Sequence, residues 1–262
     1  MEFPATELIY SRRTDFQTIE ISQNPELRLL RTDHRAIQSA LLRNKPEQLV
    51  LPYMQAMMAG LLFLSSPKQI LLLGLGGGDM VRQLHHQLPE SQITAVEIDP
   101  VIVEVSRDYF ELPDSHNVTI CINDAANFLH HDDQYYELII VDIYDGEATL
   151  DLLKNKHFYQ HCYQKLKDDG MLTLNLISND ADQFKQILWL IRQQFDHSTL
   201  CLTIAGHLNI VIFAFKKRPC EVNQSALLEK AEQLKQQFGL DVKEWAIQLF
   251  STNPTADGEL IF

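Results

Sequence analysis

Carboxylates recur through the middle of the chain, each at or near the end of an apolar run: Glu97 and Asp99, then Asp124, then Asp142 and Asp145. Such groups accept hydrogen bonds from sugar hydroxyls and amino groups, attract ammonium ions and take up protons. Upstream stands a glycine cluster, Gly74-Leu75-Gly76-Gly77-Gly78-Asp79, and Glu97 follows Gly74 by 23 positions (97 − 74). Strand, glycine turn, helix, strand and acid in that order is the pattern of a nucleotide-binding βαβ unit. Gly74, Gly76 and Gly77 let the backbone approach a ligand, and Glu97 accepts from ribose hydroxyls. The spacing is Gly-x-Gly-x-x-Asp, without the third glycine of a dinucleotide fingerprint. That favours a single-nucleoside ligand such as an adenosyl sulfonium. Asp124 is placed to accept from an adenine amino group while the N–H of Ala125 donates to the ring. Asp142 closes the apolar run Leu138-Ile139-Ile140-Val141 and points toward the same crevice. A helix N-cap is the competing role for these acids, most of all for Asp124.

The elements that must hold these residues can be read from periodicity. Ile70-Leu71-Leu72-Leu73 is a short continuous apolar run, as in a parallel strand buried on both faces. Further strands are expected at 93–98, 118–122, 137–142 and 171–177, with helices at about 79–88, 100–109, 124–130 and 152–167. Asp169-Gly170 is expected to stop the last of these helices. A helix at 180–195 precedes a closing strand pair, 199–204 and 209–215. The alternation predicts an α/β fold, a doubly wound, Rossmann-like (class I methyltransferase-like), mainly parallel sheet with its ligand outside the carboxyl ends of the strands. Ahead of it, strands at 8–10, 16–21, 27–30 and 36–38 predict a small N-terminal antiparallel β unit, with turns at Asn24-Pro25 and Asp33-His34. Pro46 and Glu47 are expected to open a helix running to about Leu64, whose Met54, Met57 and Met58 read as core packing. The expected division is 1–45 for the β unit, 46–218 for the catalytic domain with its leading helix, and 219–262 for a helical extension with an irregular tail.

Composition narrows the partners. The 262 residues carry 35 Asp and Glu against 22 Lys and Arg, a formal net charge of −13. Such a surface repels phosphate backbones, so no nucleic acid is expected. Hydrophobic content of 45% with 22% charged residues suits a globular protein with a sizeable core. Four scattered cysteines contain no CxxC pair; reduced thiols and no metal site are expected. No secretory leader pattern opens the chain and no apolar run reaches about 18 residues, so no membrane association and a cytoplasmic location are expected.

On these motifs the chain resembles the spermidine synthase family of aminopropyltransferases over about residues 8 to 215. Thr14-Asp15-Phe16-Gln17-Thr18-Ile19 is similar to the family's Ser-Pro-Tyr-Gln-x-Ile, and Ile37-Gln38-Ser39 to its Gln-containing strand. Gly74 to Gly78, Val96-Glu97-Ile98-Asp99, Asp124-Ala125, the Asp-x-x-Asp of Asp142 and Asp145, and His157-Phe158-Tyr159 match further family segments. The resemblance implies a site for decarboxylated S-adenosylmethionine, as co-substrate rather than tightly bound cofactor, built from Gln17, Gln38, Glu97, Asp124 and Asp142. It implies that Asp145 acts on the acceptor amine, a small molecule, with Tyr53 and Tyr144 beside it. A homodimer is the expected assembly.

The chain also departs from that pattern. Gly77 stands where the family places an aspartate that holds the aminopropyl ammonium, and Asp79 comes two positions later. Tyr53-Met54-Gln55 replaces Tyr-His-Glu, and the loop after Asp145 lacks the usual proline. The nucleoside site reads as intact and the polyamine site as eroded. Two alternatives follow: a methyltransferase using S-adenosylmethionine itself, whose carboxylate would take the room at Gly77, or a nucleoside-binding protein without catalysis, given Met54 and Gln55.

Overall fold

Apolar side chains alternate between two layers along each central strand. The computed structural model describes residues 3–33, 36–143, 151–178, 180–220 and 222–262. The N-terminal unit is β1 (Glu7–Arg13), β2 (Thr18–Gln23), β3 (Leu27–Thr32) and β4 (Ala36–Leu42), a four-stranded antiparallel meander. After it come α1 (Pro52–Met57), a 3₁₀ turn at Met58–Leu62, β5 (Gln69–Leu73), α2 (Asp79–Gln87), β6 (Gln92–Glu97), α3 (Pro100–Tyr109), β7 (Val118–Ile122), α4 (Ala125–His131) and β8 (Tyr136–Val141). The chain continues through a 3₁₀ turn at Asp151–Lys154, α5 (Lys156–Lys165), β9 (Leu166–Ile177), α6 (Ala181–Gln194), β10 (Thr199–Thr203), β11 (Asn209–Phe215), α7 (Gln224–Phe238) and α8 (Lys243–Thr252).

Seven strands form the central sheet in the order β10-β11-β9-β8-β5-β6-β7. Those from β9 to β7 run parallel, and β11 and β10 close the other edge antiparallel. Ile70 and Leu72 join one hydrophobic cluster, with the N-terminal sheet and α7 and α8, while Leu71 and Leu73 join the other, with α5 and α6. Leu138 and Ile140 divide from Ile139 and Val141 in the same way. This is why the runs show no polar alternation: both faces are covered. Strand order reverses between β5 and β8, which opens the crevice where such sheets bind ligands.

The predicted fold class stands, with local corrections. The helix expected from Pro46 starts at Pro52, because a residue before proline is driven out of helical space and Leu51 is extended (φ −76°, ψ 126°). The expected 152–167 helix is cut by Asn155, whose side chain caps α5 at the His157 N–H. Asp169-Gly170 does not end a helix: β9 has already begun at Leu166, and the pair lies where register against β8 slips between Tyr136 and Leu138. Phe16 and Gln17, expected in a strand, form a turn closed by the Thr14 N–H and hydroxyl on the Gln17 carbonyl (2.9 and 3.1 Å). The tail expected to be irregular ends in a small hairpin, Thr255–Ala256 against Glu259–Leu260. His34 lies outside the described residues. Among the described residues no helix is long and apolar enough to cross a membrane.

Candidate active site

Backbone geometry builds the floor of the site. Gly74 leaves β5 at φ +93°, its N–H donating to the Val96 carbonyl at 2.9 Å. A Cβ there would lie 2.1 Å from the Asp142 carbonyl oxygen, so only glycine lets the turn and the end of β8 touch. Where β5, β6, β7 and β8 end, a cavity of about 300 Å³ opens, lined by Gly74, Gly76, Glu97, Asp124, Ala125 and Asp142 among others. The N-terminal sheet roofs it with Gln17 and Gln38, and α1 adds Tyr53. All nine are residues that the sequence motifs point to, and they line one cavity.

Each acid is held differently. The Glu97 Oε2 accepts the Leu75 N–H and its Oε1 the Asp99 N–H, both at 3.0 Å. Burial pushes its pKa up, against those backbone donors. The carboxylate thus joins the glycine turn to β6 and keeps lone pairs for a ligand. Asp99 does not face the cavity; it is fully buried, caps α3 at the Val101 N–H and accepts the Thr14 hydroxyl at 2.7 Å. That bond fastens the β1–β2 turn, and so Gln17, to the main sheet. Asp124 takes both roles open to it: its Oδ1 accepts the Asn127 N–H at 2.8 Å as N-cap of α4, and the residue also lines the cavity.

Asp142 is held by two side-chain donors. Its Oδ1 accepts from Asn175 Nδ2 at 2.8 Å and its Oδ2 from the Tyr53 hydroxyl at 3.4 Å. Burial pushes its pKa up to about 6; the bonds from Asn175 and Tyr53 pull it down, and the charge of Asp79 adds to the rise. Burial and the neighbouring carboxylates push the Tyr53 phenol well above its usual value, so it remains a donor. A carboxyl poised near 6 in a concave site has the properties of a general base at neutral pH. Asp145 and Tyr144 lie outside the described residues.

Gly77 does not line the cavity. Its N–H donates to the Ser39 Oγ at 2.6 Å, and an added Cβ would meet Ser39 Cβ at 2.8 Å and Phe110 at 3.0 Å. The place that a side chain at position 77 would take is filled by protein. Asp79 pairs with Arg82 at 2.9 Å, both almost wholly buried, and its Oδ2 has no partner among the described residues. Gln55 points away and donates to the Leu49 carbonyl at 2.7 Å. Met54, read from sequence as packing, also borders the cavity.

Sequence reading missed the apolar walls. Ile98 stands beside Glu97 and is 45% exposed, and Phe16 is 50% exposed in the roof turn. A large apolar side chain directly after a strand-end acid was the available signal, since exposure of that kind suits a flat ring. Leu152 reaches the cavity from the 3₁₀ turn, which Tyr159 anchors by donating to the Leu153 carbonyl at 2.7 Å. No local pattern announces that contact.

A family model for the spermine/spermidine synthase domain matches residues 52–223. The polyamine aminopropyltransferase of Neisseria meningitidis is 31% identical over 244 residues, covering 92% of both chains. Among solved structures, a probable spermidine synthase from Corynebacterium glutamicum superposes with a TM-score of 0.73 at 20% identity, covering 99% of each chain. Human methyltransferase-like protein 13 in complex with SAH gives a TM-score of 0.66 at 26% identity, over 72% of this chain and 93% of that one.

Proposed function

The chain belongs to the spermine/spermidine synthase family, and from that premise we propose that it moves an aminopropyl group from decarboxylated S-adenosylmethionine to a small amine. The observation that carries the choice of co-substrate is the charge of the cavity. Glu97, Asp124 and Asp142 line it, and no Lys, Arg or His does among the described residues. An α-carboxylate, as in S-adenosylmethionine itself, would meet three acids and no cation. The decarboxylated sulfonium and an amine are both cationic and meet opposite charge.

In this reading the amine nitrogen attacks the methylene beside the sulfonium. The new N–C bond forms as the C–S bond breaks, its electron pair passing to sulfur, and neutral 5′-methylthioadenosine leaves. An aliphatic ammonium, with a pKa near ~10.4, must first lose a proton. Asp142 receives or relays it, and Asp145 is assigned the attraction of the amine. Glu97 holds the ribose, Asp124 and Ala125 the base, with Gln17 and Gln38 above. Holding both reactants in line supplies much of the remaining acceleration.

The human neighbour with SAH favours methyl transfer as a second reading, but Gly77 does not border the cavity and the place of its missing side chain is taken by Ser39 and Phe110, so this glycine opens no added room for a carboxylate. Calorimetry with the two sulfonium compounds, joined to methylthioadenosine release over a diamine panel, separates the readings. Tight binding of the decarboxylated form with amine-dependent release supports aminopropyl transfer. Equal binding of both, without turnover of any amine, overturns it. Asp145→Asn is expected to abolish transfer while leaving methylthioadenosine affinity nearly unchanged.

A further inference from the structure

Two asparagines behind Asp142 do not touch the cavity. Asn175 lies in β9 opposite Val211, and Asn209 lies two positions along β11, opposite Ile177, so the two are diagonal neighbours on one face of the sheet. Both are buried, 6% and 8% exposed, in strands otherwise made of apolar residues and one threonine over that overlap. Asn209 Nδ2 donates to Asn175 Oδ1 at 3.0 Å, and Asn175 Nδ2 donates to Asp142 Oδ1 at 2.8 Å. Burying two amides in a strand layer is costly unless each is bonded, and apolar residues of similar size would fit the layer without that cost.

The shape of an amide explains the pair. Its two ends differ little in size, so Asn175 turned by half a rotation would present its carbonyl to the Asp142 carboxylate, acceptor against acceptor. Asn209 donates only to the carbonyl end and thereby selects the orientation in which the NH₂ faces Asp142. We propose that Asn209 is a positioning residue acting through Asn175, the two forming a one-way relay that holds Asp142 with one oxygen engaged and the other turned to Tyr53 and the cavity. This rests on the reading of Asp142 as the proton acceptor for the amine. Among the described residues, the charged or titratable groups around Asp142 are Tyr53 from α1, Asp79 from α2, and Glu97 and Asp124 across the cavity. The relay is therefore a source of donors in otherwise acidic surroundings.

The test reads Asp142 without turnover. In protein labelled with ¹³C-aspartate, the Asp142 carboxyl resonance is assigned by its loss in Asp142→Asn and titrated. Asn175→Leu is expected to raise the midpoint by about one pH unit, and Asn209→Leu by roughly half to one unit. In the double variant the midpoint matches that of Asn175→Leu alone, because Asn209 has no other route to Asp142. Asn175→Ser and Asn209→Ser, which add no bulk and do not reach, replace the Leu variants should either fail to fold. An unmoved midpoint in the Asn209 variant, or a shift that adds in full to that of Asn175, overturns the relay. Absence of aminopropyl transfer alongside the expected shifts defeats only the functional reading; transfer with unmoved midpoints defeats only the relay.

Discussion

At the scale of single residues, the acids at the strand ends separate by what holds them. Glu97 accepts backbone amides at both oxygens and, in the proposed reading, holds the ribose. Glu97→Ala is expected to weaken 5′-methylthioadenosine binding by about 1.5–3 kcal/mol, read by calorimetry on a variant checked for folding; unchanged affinity removes the ribose role. Asp142 links function to stability with a definite sign. Its carboxyl binds a proton more tightly in the fold, with a pKa of about 6, than in the unfolded chain at ~3.9. Between those values the folded state carries the extra proton, and this stabilisation is lost as pH rises through about 6. Asp142→Asn removes the ionisation, so the variant should exceed the wild type at pH 8 and lose that advantage near pH 4. The full shift corresponds to roughly 3 kcal/mol, but the carboxyl borders an open cavity, so a gain of about 1–2 kcal/mol in urea unfolding is expected. The same variant should lose transfer, and wild-type kcat/KM should fall below pH ~6. Equal urea midpoints for the two proteins at pH 8 would count against a strained Asp142.

At the scale of elements, the glycine turn is shaped as much by β4 as by its own sequence. Ser39 accepts the Gly77 N–H and fills the space above it. Restoring the family-like aspartate alone, Gly77→Asp, should therefore destabilise the protein by about 1–3 kcal/mol through overpacking and not recover a second ammonium site. Adding Ser39→Gly should return part of that loss and not all, since Phe110 remains 3.0 Å from the new Cβ. Denaturant midpoints for the single and double variants check this; a neutral Gly77→Asp contradicts the packing described. The alignment that set Gly77 against an aspartate was legible in the sequence. Its filling by a serine from another sheet was not, because Ser39 lies 38 positions away and no periodicity ties the two. The Asp257-Gly258 turn was legible in principle, since Asp-Gly is a strong hairpin signal, with both residues at positive φ.

At the scale of the whole molecule, the central sheet could be read almost strand by strand. Its runs are buried on both faces and need no partner to declare themselves. Element starts were less legible where a proline or an asparagine cap outweighed helical periodicity, as at Pro52 and Asn155. The cavity-lining acids on strand ends were legible because chemistry and position coincide there, whereas Leu152 and Phe16 reach the cavity through loop geometry. The acid-only cavity in a chain of net charge −13 also has a global consequence. Under the proposed function cationic substrates would be drawn in by a field that salt screens, so kcat/KM for an amine should fall several-fold between about 0.05 and 0.5 M salt, with kcat less affected. A salt-independent kcat/KM would show that local contacts alone govern capture.

The Arg82 guanidinium gathers the carbonyls of Pro46, Gly77 and Phe110 as well as the Asp79 carboxylate. For protein engineering this makes the strand-end cavity a poor candidate for grafting as a linear motif. A scaffold given only the stretch from β5 to β6 would receive the arginine and two of its four acceptors. The other two come from chain segments on either side, and without them a buried cation would stand with donors unmet. A transplant has to carry all three segments or replace Arg82 with an apolar residue and redesign the turn it braces.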